Sequence, residues 1–452
     1  MNTISVSAAI LLAIPATSPG QSSFLHQFGY PKINADHTIL LTLTNSVVST
    51  LRNYYDLFPV ESSQGLMNWV PLVTLVRTNS SNVPLVFSDS ESTNLAQRFY
   101  RTPTNQLVTP IPRPQGPYAV GTVSRLFSDP SRTNRYNIPT NISFMVQFWF
   151  PAEPRAGVLP AAYLNSAIAA TWYSYYSHND LAANSTLFQP AVSHALPDIT
   201  ISTNRAPFPV VLFSHGYQCV RTMDTDVMEN LASFGFITVA IDHADAWASV
   251  FPSGQIVRGN APDLPISTGQ FSLNIQNRAR DVRFVLDELT QLNQQDELFG
   301  GRFDLDHVGI MGHSLGGGVV AEVCADDGRF KAGLSLDGAH TNVLALQISQ
   351  PFLIASGTDA NPVMQPFRAD FRKLFDQLSQ NAYWLELTNS EHFDFVESPW
   401  FATSPLPSKI RTATVLRTYA VSFFSKYLKA EDDHFLDGPP AAYPEVEGFL
   451  RK

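Results

Sequence analysis

The chain is short of cysteine, of charge and of long apolar runs. Its 452 residues include two cysteines, Cys219 and Cys324, too few for a disulfide framework or a thiolate metal site. Both are expected to be small buried residues. Charged residues make up 15% of the chain, and acidic residues outnumber basic ones 39 to 29 for a net charge of −10. Without a basic cluster to neutralise phosphates, a nucleic-acid partner is excluded. Beyond the N-terminus no apolar run approaches the ~20 residues of a membrane helix. What remains is a well-packed composition, 44% hydrophobic and 12% aromatic, in a chain long enough for two or three domains.

The organisation is expected to be as follows. Residues 1–22, within "MNTISVSAAILLAIPATSPGQSS", have an apolar stretch of signal-peptide length followed by small residues. Although the first basic residue is Lys32, the expectation is export to a secreted or periplasmic address. Residues 23–102 contain short runs such as "TILLTLTNS", "VPLVTLV" and "VPLVFSD", with a period near two and turn residues between them. They predict an accessory β-sandwich-like module. Residues 103–115 carry four prolines and are expected to be a linker. From 116 to 430 all-apolar strands alternate with amphipathic helices, and 431–452 are expected to be a tail.

The strands of the large region are "GPYAVGTVSRLF", "ISFMVQFWF", "FPVVLFS", "FITVAID", "HVGIMG", "KAGLSL", "PFLIAS" and "AYWLEL". Between them lie helical stripes such as Ile275, Ala279, Val282, Val285, Leu286 and Leu289. This alternation predicts a doubly wound, mostly parallel sheet covered on both faces, with the site beyond the carboxyl ends of its strands.

"GHSLG", Gly312 to Gly316, stands after a strand and before a helix, where G-x-S-x-G has mechanical meaning. Ser314 is the candidate nucleophile, on a tight turn whose flanking glycines avoid clashes. A serine needs a base, and in a strand–elbow–helix site of this kind the acid and then the histidine follow the serine in the chain. His392, in the loop after "AYWLEL", is the candidate; His340 and His434 are poorly placed. Two aspartates end intervening strands, Asp337 and Asp359, and spacing alone does not choose between them. The oxyanion donors are expected to be the backbone N–H groups of Leu315 and of Tyr217, the latter in "LFSHGYQCVR". His243 is expected to be structural rather than a second base. "AAYLNSAIAATWYSYYS", residues 161–177, places Leu164, Ile168, Trp172 and Tyr175 on one helical face, a core-facing helix or a lid in contact with a lipid surface.

"GPYAVGT", "PFPVVLFSHGYQCVRT", "LASFGFITVAIDHADAWAS", "GHSLGGG", "DGRFKAGLSLDGAH" and "NSEHFDF" occur in that order over residues 116–430. Together they resemble the platelet-activating factor acetylhydrolases of the plasma and intracellular type II group. The resemblance implies an α/β-hydrolase fold, a reaction without metal or other cofactor, and a small-molecule or lipid ester as substrate, with short or oxidised acyl groups on a phospholipid-like ester. It implies Ser314 as nucleophile, His392 as base and, because the family's acid follows the "GLSL" type of strand, Asp337 as acid. "FPVESSQGLMNWVPLVTLV" and "LVFSDSESTNLAQRFYR" separately resemble a small β-sandwich module of secreted bacterial proteins, from which Gly65 departs where an acidic residue is usual. The rival readings are a polyester or cutin hydrolase or lipase with the same residues, and an inert hydrolase-like protein whose front module binds.

Overall fold

A computed structural model describes residues 111–132, 142–155, 158–165, 191–259, 267–358, 364–379, 381–396, 407–439 and 441–452, with the backbone of short strands before residue 110. The chain divides into two compact units. The first takes in 1–112 together with Arg155–Val158 and Pro190–Val192, and the second holds the rest.

In the first unit, Ile39–Asn45 pairs antiparallel with His26–Phe28, Lys32–Ile33 and Leu85–Asp89. A second sheet is built on Tyr55–Ser63, which pairs antiparallel with Val70–Arg77, Gln97–Arg101 and Leu107–Thr109. The last of these strands falls inside the segment expected to be a linker. Ser7–Ile10, within the expected signal, pairs parallel with Gln97–Arg101. The side chains that would define a sandwich core lie outside the described residues.

The second unit is built on a ten-stranded sheet. In chain order its strands are β1 (Ala119–Asp129), β2 (Ile142–Ala152), β3 (Leu196–Pro197), β4 (Phe208–Ser214), β5 (Ile237–Ile241), β6 (Phe303–His313), β7 (Phe330–Leu336), β8 (Phe352–Gly357), β9 (Ala382–Leu387) and β10 (Val446–Arg451). Their spatial order is β3-β1-β2-β5-β4-β6-β7-β8-β9-β10. From β5 through β9 the pairing is parallel, and β2 and β10 flank that block antiparallel. Residues 431–452 are therefore more than the expected tail: β10 pairs Tyr383 with Arg451 and Leu385 with Phe449 at the end of the sheet.

The all-apolar strands follow from burial on both faces. Val210 and Leu212 join one core with α2 (Thr268–Gln295), α3 (Leu315–Asp326) and α4 (Arg368–Gln377). Val211 and Phe213, one residue out of step, join the other core with α1 (Thr225–Ser233) and α5 (Pro407–Lys429). A period of two applied to a strand covered on both sides leaves no polar position. The stripe Ile275, Ala279, Val282, Val285, Leu286, Leu289 is fully buried, as a core-facing helix requires. Ser267 caps α2 by accepting the amide of Gln270. Both cysteines are free and buried. Of the segment 161–177, only 161–165 are described, with Tyr163 and Leu164 buried; Ile168, Trp172 and Tyr175 lie outside the described residues.

Candidate active site

The site forms where β4, β6, β7 and β9 end. β6 runs into α3 through Ser314, whose backbone stands at φ 55°, ψ −120°. A non-glycine residue there is strained, and main-chain bonds hold it. Its amide donates to Leu336 O at 2.9 Å, and its carbonyl accepts from Gly317 at 2.9 Å and Ala339 at 2.7 Å. The turn is so tight that the expected glycines are obligatory. A Cβ on Gly316 would lie 1.8 Å from Ser214 O, and one on Gly312 would lie 2.4 Å from Gly316 O. Leu315 is the first residue of α3, so its amide has no acceptor within the helix and adds to the positive end of the helix dipole.

His392 enters from a 3₁₀ turn, His392–Phe395, closed by a capping box between Glu391 and Asp394. Its Nδ1 lies 2.7 Å from Asp337 Oδ2 and its Nε2 lies 2.9 Å from Ser314 Oγ. A carboxylate only accepts, so the first bond places the proton on Nδ1 and leaves Nε2 to accept from the serine hydroxyl. Asp337 stands just past β7 at φ 42°, anchored by its amide on Ala355 O at 2.7 Å and by Gly357 N donating to Oδ1 at 3.3 Å. All three side chains are nearly inaccessible: Ser314 6%, Asp337 1% and His392 4% exposed. Asp337, which spacing alone did not select, is thus the aspartate on the histidine; Asp359 lies outside the described residues. His340 is buried with Nε2 on Ser335 Oγ at 3.1 Å, and His434 is exposed and paired with Asp437.

Tyr217 lies in the loop after β4, which packs against the elbow. A Cβ on Gly216 would lie 3.3 Å from the Ser314 Cβ and 3.1 Å from His313 Nδ1. The loop that carries Tyr217 thus meets the elbow at Gly216, and Leu315 follows the serine in the chain.

Sequence reasoning passed over three neighbours. His313, the first variable position of the motif, donates from Nε2 to His392 O at 2.9 Å and sets its ring against that of His392, centroids 4.5 Å apart and tilted by 35°. Burial first, then the nearby His392, holds the His313 imidazole well below its ordinary range. Arg278, buried on α2, contacts the carbonyls of His215 and Gly216. Its signal was available, since a charge three residues after Ile275 falls on the buried stripe. Asp281, one turn further, binds His243 Nδ1 at 2.8 Å, and His243 Nε2 binds Ser214 Oγ at 2.9 Å. His243 is structural in this geometry, shut inside the core.

A ten-stranded, mostly parallel sheet with a strained serine elbow, a histidine on a late loop and an aspartate after an intermediate strand defines the class: this is an α/β-hydrolase. A family model described as platelet-activating factor acetylhydrolase, isoform II, matches residues 105–358, more than half the chain. The chain belongs to that family. It is 24% identical over 270 residues to a protein of Arthroderma benhamiae named "Probable 1-alkyl-2-acetylglycerophosphocholine esterase", covering 53% of this chain and 65% of that one. It is 26% identical over 188 residues to cutinase est1 of Thermobifida alba, covering 41% of this chain and 54% of that one. The chain thus spans less than two thirds of either relative. Among solved structures, a ferulic acid esterase from Streptomyces cinnamoneus superposes with a TM-score of 0.62 at 26% identity, covering 75% of this chain and 98% of that one.

Proposed function

We propose that the protein is a serine carboxylic-ester hydrolase working through an acyl-enzyme. The observation that carries this is the pair of bonds on His392, to Asp337 at 2.7 Å and to Ser314 at 2.9 Å, at a serine held on a strained elbow. Ser314 Oγ attacks the ester carbonyl as its proton passes to His392 Nε2, and Asp337 stabilises the imidazolium. The carbonyl oxygen becomes an oxyanion received by the amides of Leu315 and Tyr217. The imidazolium returns the proton to the departing alcohol oxygen as the C–O bond breaks. Water then repeats the sequence on the acyl-enzyme, releasing acid and free Ser314.

For substrate, the reading is a short-chain or oxidised acyl group on a phospholipid-like ester, of the 1-alkyl-2-acetylglycerophosphocholine kind. Membership of the family and the likeness to the Arthroderma protein support it. The likeness to a cutinase and to a ferulic acid esterase favours a second reading, hydrolysis of polyester or of other carboxylic esters by the same residues, because fold and site chemistry do not fix the leaving group.

The test is a panel of esters of increasing acyl length, soluble and polymeric, assayed with the full chain and with Asp337→Asn and Asp359→Asn. Preference for an acetyl phospholipid supports the first substrate reading, and activity confined to polymer or long acyl chains discards it. Asp337→Asn is expected to lower kcat by about 10⁴-fold and Asp359→Asn to leave it little changed; equal small losses contradict the mechanism.

A further inference from the structure

The loop that carries Tyr217 is held from behind by a buried cation. Arg278, 2% exposed, reaches from α2 and grips Asp245 with Nε at 2.9 Å and Nη2 at 2.7 Å. Its remaining donors go to the loop: Nη1 to His215 O, and Nη2 to Gly216 O at 3.1 Å. The Gly216 carbonyl accepts two further bonds, from His215 Nδ1 at 2.7 Å and from the Cys219 amide at 3.3 Å. His215 Nε2 accepts from the His243 amide at 3.3 Å, which fixes its proton on Nδ1. Burial first, and the Arg278 charge second, keep that imidazole neutral, well below its ordinary range.

This convergence acts through one peptide group. A trans peptide is planar, with its C=O and N–H pointing in opposite directions. Three donors on the Gly216 oxygen therefore set the aim of the Tyr217 N–H. A cation on the oxygen also polarises the group and strengthens the N–H as a donor. The same peptide starts at Gly216, which abuts Ser314. Stability alone does not call for the arrangement, since well-packed apolar residues often replace a buried ion pair at no cost.

We infer that Arg278 is a positioning residue for ester hydrolysis, locking the Gly216–Tyr217 peptide and strengthening the Tyr217 N–H toward the oxyanion. The inference rests on the reading of Ser314 as nucleophile and Tyr217 as donor. Guanidinium geometry matters here, because a lysine has no planar fork with which to hold Asp245 and both carbonyls together.

The experiment uses the purified full chain, Arg278→Met, Arg278→Lys and Ser314→Ala, with p-nitrophenyl acetate as substrate. A trifluoromethyl ketone, which forms an oxyanionic adduct with a serine, and its non-fluorinated parent serve as inhibitors. Arg278→Met is expected to lower kcat by about 10²-fold with KM within about threefold. It should weaken the fluorinated ketone by a similar factor and leave the parent unchanged. Arg278→Lys, with charge but no fork, is expected to lose roughly tenfold in kcat, recovering part of the activity. A kcat within about threefold of the parent chain in either variant, or a loss confined to KM, overturns the inference. If Arg278→Met does not melt cooperatively, Arg278→Lys decides by the same criteria. Activity surviving in Ser314→Ala, or absent from the parent chain, removes the underlying reading, an outcome distinct from a dead Ser314→Ala beside an unimpaired Arg278→Lys.

Discussion

Two Ser–His–Asp chains start from neighbouring strands of the same sheet, at the end of β4 and just past β6. In one, Ser314 meets His392 at 2.9 Å and His392 meets Asp337 at 2.7 Å; in the other, Ser214 meets His243 at 2.9 Å and His243 meets Asp281 at 2.8 Å. The bonds are alike and the surroundings are not. Ser314 has left its strand at φ 55° and opens a helix, whereas Ser214 ends β4 in the sheet and is fully buried. Asp337 is held by backbone, but Asp281 also receives Arg132 at 2.8 Å, which in turn holds Asp129 at 2.8 Å. The internal chain is thus a strut from β1 through α2 to the end of β4, just where the Tyr217 loop begins. Hydrogen-bond geometry is common to a nucleophile and a strut. Position at the elbow separates them under the proposed mechanism, which takes Leu315 and Tyr217 as the donors beside Ser314.

The comparison breaks first on activity. Ser314→Ala is expected to lower kcat by about 10⁵-fold or more, while Ser214→Ala stays within about tenfold in the same ester assay; similar losses from both would erase the distinction. A smaller contrast is in stability. Asp281→Asn strips a buried bridge of its charge and is expected to cost about 3 kcal/mol in urea unfolding, against well under that for Asp337→Asn, whose backbone anchors persist. Equal costs would mean that the strut carries no more of the fold than the active chain does.

A third contrast is in pH dependence. In the mechanism His392 must take a proton at every turnover, whereas the other buried imidazoles resist one. Burial lowers His340 to about 4 and lowers His243 against the pull of Asp281. Above pH 6.5 neither the folded nor the unfolded chain protonates these groups. Below it only the unfolded chain does, so stability falls from pH 6.5 toward 4, with His340 contributing roughly 3 kcal/mol over that window. His340→Gln should flatten this part of the curve in melts at stepped pH, and an unchanged slope would show that His340 is not protonated on unfolding.

What could be read in the sequence was what is local. Each buried strand announces itself as an apolar run, and the elbow, the late histidine and the Tyr217 loop are each set by a few consecutive residues. Choosing Asp337 needed more than spacing, because Asp337 and Asp359 both follow apolar strand-like runs; the family resemblance pointed to Asp337, and the fold puts its carboxylate on His392. Arg278 and the Ser214–His243–Asp281 strut were out of reach as a set. Their partners come from β4, the loop after β5, and α2, and are joined only by the crossover that sets β5 between β2 and β4. β10 was hidden for another reason: Pro439, Pro440 and Pro444 precede it, and an edge strand with one buried residue, Val446, shows little of the apolar run that marks a central one.

The central claim is that Ser314, and not Ser214, is the nucleophile, and labelling with a fluorophosphonate followed by peptide mapping tests it most directly. One adduct per chain on the peptide containing Ser314, lost in Ser314→Ala and kept in Ser214→Ala, is the expected result. No adduct, or an adduct that survives Ser314→Ala, would contradict it.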